Sequence, residues 1–113
     1  MAATKPAKIK IRIIENSLQA RLAATYLRSK SVALVLGRCI HLYGVSRQQF
    51  LADASWVKHE LKHIEQFKKY GYLKFLWMYF FETLRHGYFN NRYEAEARAA
   101  ENVHMDMAHY EIQ

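Results

Sequence analysis

Glycine and proline are few in this chain, and their placement cuts it into segments. The 113 residues hold four glycines and one proline, Pro6. From Ser46 onward the only breakers are Gly71 and Gly87. A stretch so poor in them reads as helices. Ser46 and Gln49 have the spacing of a capping box, and Asp53 is an alternative cap for the same helix, which is expected to end near Gly71. A second helix is expected from about Tyr72 to Arg85, ending at Gly87. A third, capped by Asn90 or Asn91, is expected to reach roughly His109.

The N-terminal half is patterned differently. From Lys8 to Ile14 charged and apolar residues alternate, as on a half-exposed strand. Asn16 or Ser17 can cap a helix running to about Arg28, with Leu18, Leu22, Ala23 and Tyr26 as its expected inner face. Val32–Leu36 and Cys39–Tyr43 are short apolar runs punctuated by Gly37 and Gly44, and read as two more strands. The expected class is therefore α+β in a single domain over residues 1–113. Short N-terminal strands carry one helix, and three packed helices follow.

Half the residues are apolar, so a real core is within reach. One cysteine, Cys39, excludes an internal disulfide framework. The formal charge is +7, but the cations are spread over several segments with no nucleic-acid-binding signature beside them, so no specific nucleic-acid partner is expected. The basic N-terminus has no continuous apolar stretch of the kind a cleaved signal needs, and a cytoplasmic location is expected. The longest apolar run, Phe75–Phe81, falls far short of a bilayer span, so no transmembrane segment is expected. Being apolar all around a helix, that run is either core or a surface that docks a partner protein, with core the expected outcome.

Chemistry concentrates in His59-Glu60-Leu61-Lys62-His63. Residues four apart share a helix face, so both imidazoles can point at one ion, with Glu60 beside them to take a proton from water. On a helical wheel Val57, Leu61, Ile64 and Phe67 form an apolar face, and Lys58, Lys62, Glu65 and Lys69 a charged one. His59, His63, Gln66 and Tyr70 make a third stripe at the edge of the core. A packing helix needs only two stripes. The third is what a metal site would look like, and zinc is the ion such a motif suggests.

A third ligand should come from another helix, and Asn91-Arg92-Tyr93-Glu94-Ala95-Glu96-Ala97-Arg98 offers two carboxylates. Glu96 shares a stripe with Ala100, Val103 and Met107, which would point it inward. Glu94 sits three residues after Asn91, where it could instead complete a helix cap. The two motifs together, HELKHIEQF and RYEAEAR, resemble the gluzincin zinc metallopeptidases. They are most similar to small bacterial domains of poorly known function with H-E-x-x-H-x-x-Q followed by E-x-E-A. The resemblance spans roughly Val32 to Glu101. It implies a minimal zincin-like fold holding one zinc ion on His59, His63 and Glu94, while the stripe reading keeps Glu96 as the alternative ligand. Glu60 would be the catalytic base, Gln66 a supporting residue and Ala97 the small residue that lets two helices approach. Where the family carries an acid four residues after the ligand Glu, this chain has Arg98, so the carboxylate that would orient a ligand histidine is expected to be missing.

Such chemistry also wants a donor facing the developing oxyanion, and His86, Tyr88 and Tyr93 are near enough in sequence to supply it. The expected function is a zinc-dependent metallopeptidase-like hydrolase acting on a peptide or protein, with edge strand Val32–Leu36 pairing with the substrate. The alternative is a zincin-fold interaction module without turnover. A third reading is a basic peripheral protein that uses Trp77 and its aromatic neighbours at a membrane surface.

Overall fold

Alternation carries Ile9–Ile14 into the first strand, β1, and the apolar runs Val32–Leu36 and Cys39–Tyr43 into β2 and β3. These assignments come from a computed structural model that describes residues 8–113. The basic stretch 1–7, with the expectations drawn from it, lies outside the described residues. β2 and β3 form an antiparallel hairpin, with Leu36 opposite Cys39 across a two-residue turn that starts at Gly37 (φ 65°). β1 runs parallel to β3, with Ile13 opposite Ile40, and the sheet order is β2-β3-β1-β4. Among the described residues β2 is therefore an edge strand.

Helix α1, Leu18–Leu27, connects β1 to β2 and is capped by Ser17, whose hydroxyl accepts from Ala20 N–H. Its packing face differs from the expected one. Ala20 and Ala24 are the buried residues, while Leu18, Leu22 and Tyr26 are exposed at 62–72%. Two alanines let the helix backbone come close to the sheet, and that turns the larger side chains outward.

Both caps expected for the histidine helix are used, by two separate helices. Ser46 and Gln49 form a reciprocal capping box on α2, Arg47–Ala52. Asp53 then caps α3, Ala54–Tyr70, by accepting from Trp56 N–H. Gly71 (φ 89°) closes α3 and opens α4, Tyr72–Asn90, so one residue in a conformation that suits glycine reverses the chain. Helical geometry breaks again at Gly87. Asn91, fully buried, caps α5, Arg92–Ala100, accepting from Tyr93 N–H and donating to Tyr79 O and Thr83 Oγ1.

The last helix stops at Ala100, not near His109. A short 3-10 turn, Met107–His109, leads into β4, Tyr110–Ile112, which lies parallel to β1 with Ile9 opposite Tyr110. Val103 and Met107 are exposed, so the inward stripe expected to include Glu96 does not form. Edge pairing with β1 buries Tyr110, and Gln113 N–H donates to Ile11 O. Those tertiary gains outweigh a marginal helical continuation.

Ile11, Ile40 and Leu42 of the sheet meet Phe50 of α2, Leu61 and Ile64 of α3 and Phe75 of α4 in one core. Each such side chain contributes about 1.5–3 kcal/mol by leaving water. The aromatic run corrects another expectation. Phe75 is buried, but Trp77, Phe80 and Phe81 are more than half exposed. Among the described residues no helix is long and apolar enough to cross a membrane.

Candidate metal centre

Helices α3 and α5 pack antiparallel, with His59 beside Glu101 near one end of the contact and Gln66 beside Tyr93 near the other. Ala97 is fully buried between these contacts. The apolar face of α3 sets its rotation: Val57, Leu61, Ile64 and Phe67 are all buried. That leaves His59 and His63 directed along the seam toward α5.

His59, His63 and Glu94 each offer a ligand atom, all within 4.8 Å of one another, and the group could hold a metal ion. His59 Nε2 lies 3.0 Å from Glu94 Oε1, and His63 Nε2 lies 3.0 Å from Glu94 Oε2. Glu94 thus faces the imidazoles and does not turn back to cap its own helix. Asn91 N–H goes to Tyr88 O instead. Glu96, the alternative ligand, lies outside the group, with Oε2 accepting from Gln66 Nε2 at 3.0 Å.

The outer nitrogens are held as well. His63 Nδ1 is 2.8 Å from Gln66 Oε1, and Gln66 is itself anchored on Tyr93 O. His59 Nδ1 is 2.7 Å from Glu101 Oε2. This last contact corrects the expectation that no acid would orient a ligand histidine. Arg98 lies over the Phe89 ring and donates to Phe89 O, while Glu101 takes the orienting position one turn later. Glu101 is seven residues beyond Glu94, hence on the same helix face, and that spacing was the signal to read. A hydrogen-bonded Nδ1 fixes the tautomer that leaves Nε2 free for an ion.

Two more tyrosines frame the site. Tyr79 donates to Glu94 Oε2 at 2.5 Å, a contact the sequence reading missed because it crosses from α4. Burial and the Glu94 charge push its phenol up, so it stays a donor. Tyr88 lines the groove with His59 and Glu60, and burial with the Glu94 and Glu60 carboxylates pushes its phenol up too. Tyr93 is instead a core ring packed on Phe75, and His86 is exposed and outside the groove lining.

Glu60 is 4% exposed and lines a groove of about 210 Å³ that runs between β2, α1 and α4. Burial raises its carboxyl to about 7, against the pull of His63 and His59. A carboxyl that titrates near neutrality can both take and return a proton there. For His59, burial works downward, but the Glu94 hydrogen bond, the Glu60 charge and the Glu101 hydrogen bond outweigh it and push the ring up to about 9. His63 is raised as well, by its hydrogen bond to Glu94 above all, against burial. Glu94 is held well below the usual carboxylate range by those two histidines, again against burial.

Without metal, then, the cluster carries protons that an ion must displace. Metal binding near pH 7.5 should release more than one proton. Because the raised histidine values set the competition, apparent affinity should climb as pH rises and level off only above about 9. Titration calorimetry in buffers of different ionisation enthalpy measures the release. A release of none would mean that the histidines are neutral in the metal-free protein.

The Glu101 contact has its own consequence. Glu101→Ala should weaken metal binding roughly tenfold to a hundredfold, the usual cost of losing a partner that orients a ligand. Arg98→Ala should leave affinity near wild type. Competition against a chelating dye separates the two, and equal losses would remove the orienting role from Glu101. Compared with models of protein families, with curated proteins and with solved structures, the chain matches none.

Proposed function

We propose that the chain is a zinc-dependent hydrolase of peptide bonds, of the gluzincin type that its two motifs resemble. The observation that carries this reading is the convergence of two imidazole nitrogens and one carboxylate beside a buried Glu60 that faces an apolar groove. Two histidines and a glutamate are a donor set used by catalytic zinc, which keeps a fourth position open. With bonds of about 2.0–2.1 Å, a tetrahedral ion needs its ligand atoms about 3.4 Å apart. Each imidazole Nε2 lies 3.0 Å from a different oxygen of Glu94, and the three ligand atoms, all within 4.8 Å of one another, would have to draw together by up to about 1.4 Å around an ion. His59, His63 and Glu94 would therefore hold the ion, oriented by Glu101, Gln66 and Tyr79.

A bound zinc ion would supply Lewis acidity, activating water and polarising the scissile carbonyl. Glu60 accepts the proton of the attacking water and returns it to the leaving amine, a double role that suits a carboxyl near 7. All five residues of β2 line the groove opposite His59, Glu60 and His63. An extended peptide can add to this edge by backbone hydrogen bonds, which places a carbonyl beside Glu60. Tyr88, at the groove wall, is the donor best placed for the developing oxyanion.

The alternative of an interaction module without turnover draws on Arg98 standing where an acid is expected, on the short chain and on the aromatic helix. Glu101 on His59 removes the first of these grounds and leaves the other two. Metal analysis of untagged protein tests the reading first, with about one zinc per chain expected. A screen of extended peptides with the zinc-loaded protein follows. Absence of metal would end the proposal.

A further inference from the structure

Helix α4 is apolar on two opposite faces, and only one of them meets the core. Phe75 is buried and Tyr79 half-buried on the inner face. Advancing 100° per residue, Leu73, Trp77, Phe80, Phe81 and Leu84, all before the break at Gly87, fall within about 100° on the outer side. These residues are between 51% and 71% exposed. Trp77 stacks on Phe81 at 5.6 Å, and Phe80 packs edge-on against both, so the aromatics form one continuous patch. Across the groove, α1 shows a second outward stripe: Leu18, Leu22 and Tyr26. Tyr26 of that stripe lines the groove, as does Tyr88 just past the break at Gly87.

The charges around these stripes have one sign. On the wheel, Lys74 and Arg85 flank the α4 stripe, and Arg21 flanks that of α1. All three are exposed. α1 contains no acid, and the one acid of α4, Glu82, lies off the stripe and accepts from Arg92 N–H. The whole chain carries +7. A second copy covering this face would bring two strongly basic surfaces together. A helix with Trp, Phe and Leu on one face and Lys and Arg at its margins is the pattern of a helix lying in a membrane interface. No helix among the described residues spans a bilayer, so the chain would rest on the surface, not cross it.

We propose that the outer stripe of α4, with that of α1, seats the protein on an anionic lipid surface, with Trp77, Phe80 and Phe81 entering the interface and Lys74, Arg85 and Arg21 facing headgroups. This docking does not depend on the metal or on catalysis, so its failure and that of the hydrolase reading are separable.

Co-sedimentation with vesicles tests it. Wild type should bind phosphatidylcholine vesicles containing about one third phosphatidylserine in about 0.05 M salt, and release them in about 0.5 M salt. Pure phosphatidylcholine should be bound at least about tenfold more weakly. The double variant Trp77→Ser, Phe81→Ser should bind anionic vesicles about tenfold or more less tightly at an unchanged melting temperature, since both rings are exposed. Lys74→Glu with Arg85→Glu should lose binding too, and checks the result independently of the aromatic change. No binding to anionic vesicles in low salt would overturn the proposal, as would binding that ignores both double variants or is equal on neutral vesicles. A wild-type dimer in sedimentation equilibrium that the aromatic variant dissolves, with no vesicle binding, would assign the face to a second copy instead.

Discussion

His63→Ala should leave purification without metal, where wild type keeps about one ion per chain. His63 is 6% exposed, and its ring joins three elements: Nε2 to Glu94 on α5, Nδ1 to Gln66 on its own helix, and an edge contact with Tyr79 on α4. An alanine removes a ligand and leaves the Glu94 and Gln66 oxygens without that partner. Zinc sites of four ligands bind with about 10–16 kcal/mol, so one ligand carries about 3 kcal/mol and its loss weakens binding on the order of a hundredfold or more. His59→Ala should do the same by a comparable amount. Glu96→Gln should cost far less, because that carboxylate touches Gln66 and not the cluster. Chelation should also lower the wild-type melting temperature, since an ion that joins α3 to α5 stabilises only the folded chain. Stoichiometric metal in His63→Ala would show that the pair on α3 is not the site. An unchanged melting temperature after chelation would remove the structural role.

The histidine helix was legible because two signals agreed in one segment. Its apolar stripe and its stop at Gly71 fix the rotation and the end of α3, though its start stayed open between Ser46 and Asp53, and the rotation that buries Leu61 and Ile64 brings His59 and His63 to the seam. β2 and β3 were equally plain, since short apolar runs around Gly37 leave a hairpin as the simple reading. What could not be read was anything decided between segments. Whether Leu22 of α1 faces in or out depends on how closely Ala20 and Ala24 allow the helix to approach the sheet. Tyr79 reaches Glu94 only because the turn at Gly71 lays α4 back against α3 and α5. β4 is three residues long, and its pairing with β1 closes over a separation of about a hundred residues that no local pattern announces. Glu101 is an intermediate case. Its helical spacing from Glu94 was visible, but a family pattern centred on position 98 drew attention elsewhere.

Glu60→Gln should keep both the metal and the fold yet abolish hydrolysis. Glu60 stands outside the group of three ligand atoms, so an amide of nearly the same volume leaves His59, His63 and Glu94 in place. In the wild type, burial holds the Glu60 carboxyl at about 7, poised to take a proton from water and give it up again. Glutamine cannot accept that proton, and the loss of a positioned acid–base group typically costs about 10²–10⁴-fold in rate. The substitution also ends the cost of a buried charge, so the variant's melting temperature in metal-free buffer above pH 7 should match or exceed that of wild type. The sign follows from the shift: a carboxyl raised in the folded state, relative to its ordinary value, opposes folding once pH exceeds that ordinary value, and glutamine carries no such penalty. Rates should be compared at equal zinc occupancy, on a peptide the wild type cleaves. Cleavage by Glu60→Gln as fast as by wild type would remove Glu60 from the mechanism. A wild type that holds zinc and cleaves none of a broad set of extended peptides would move the centre from turnover to binding.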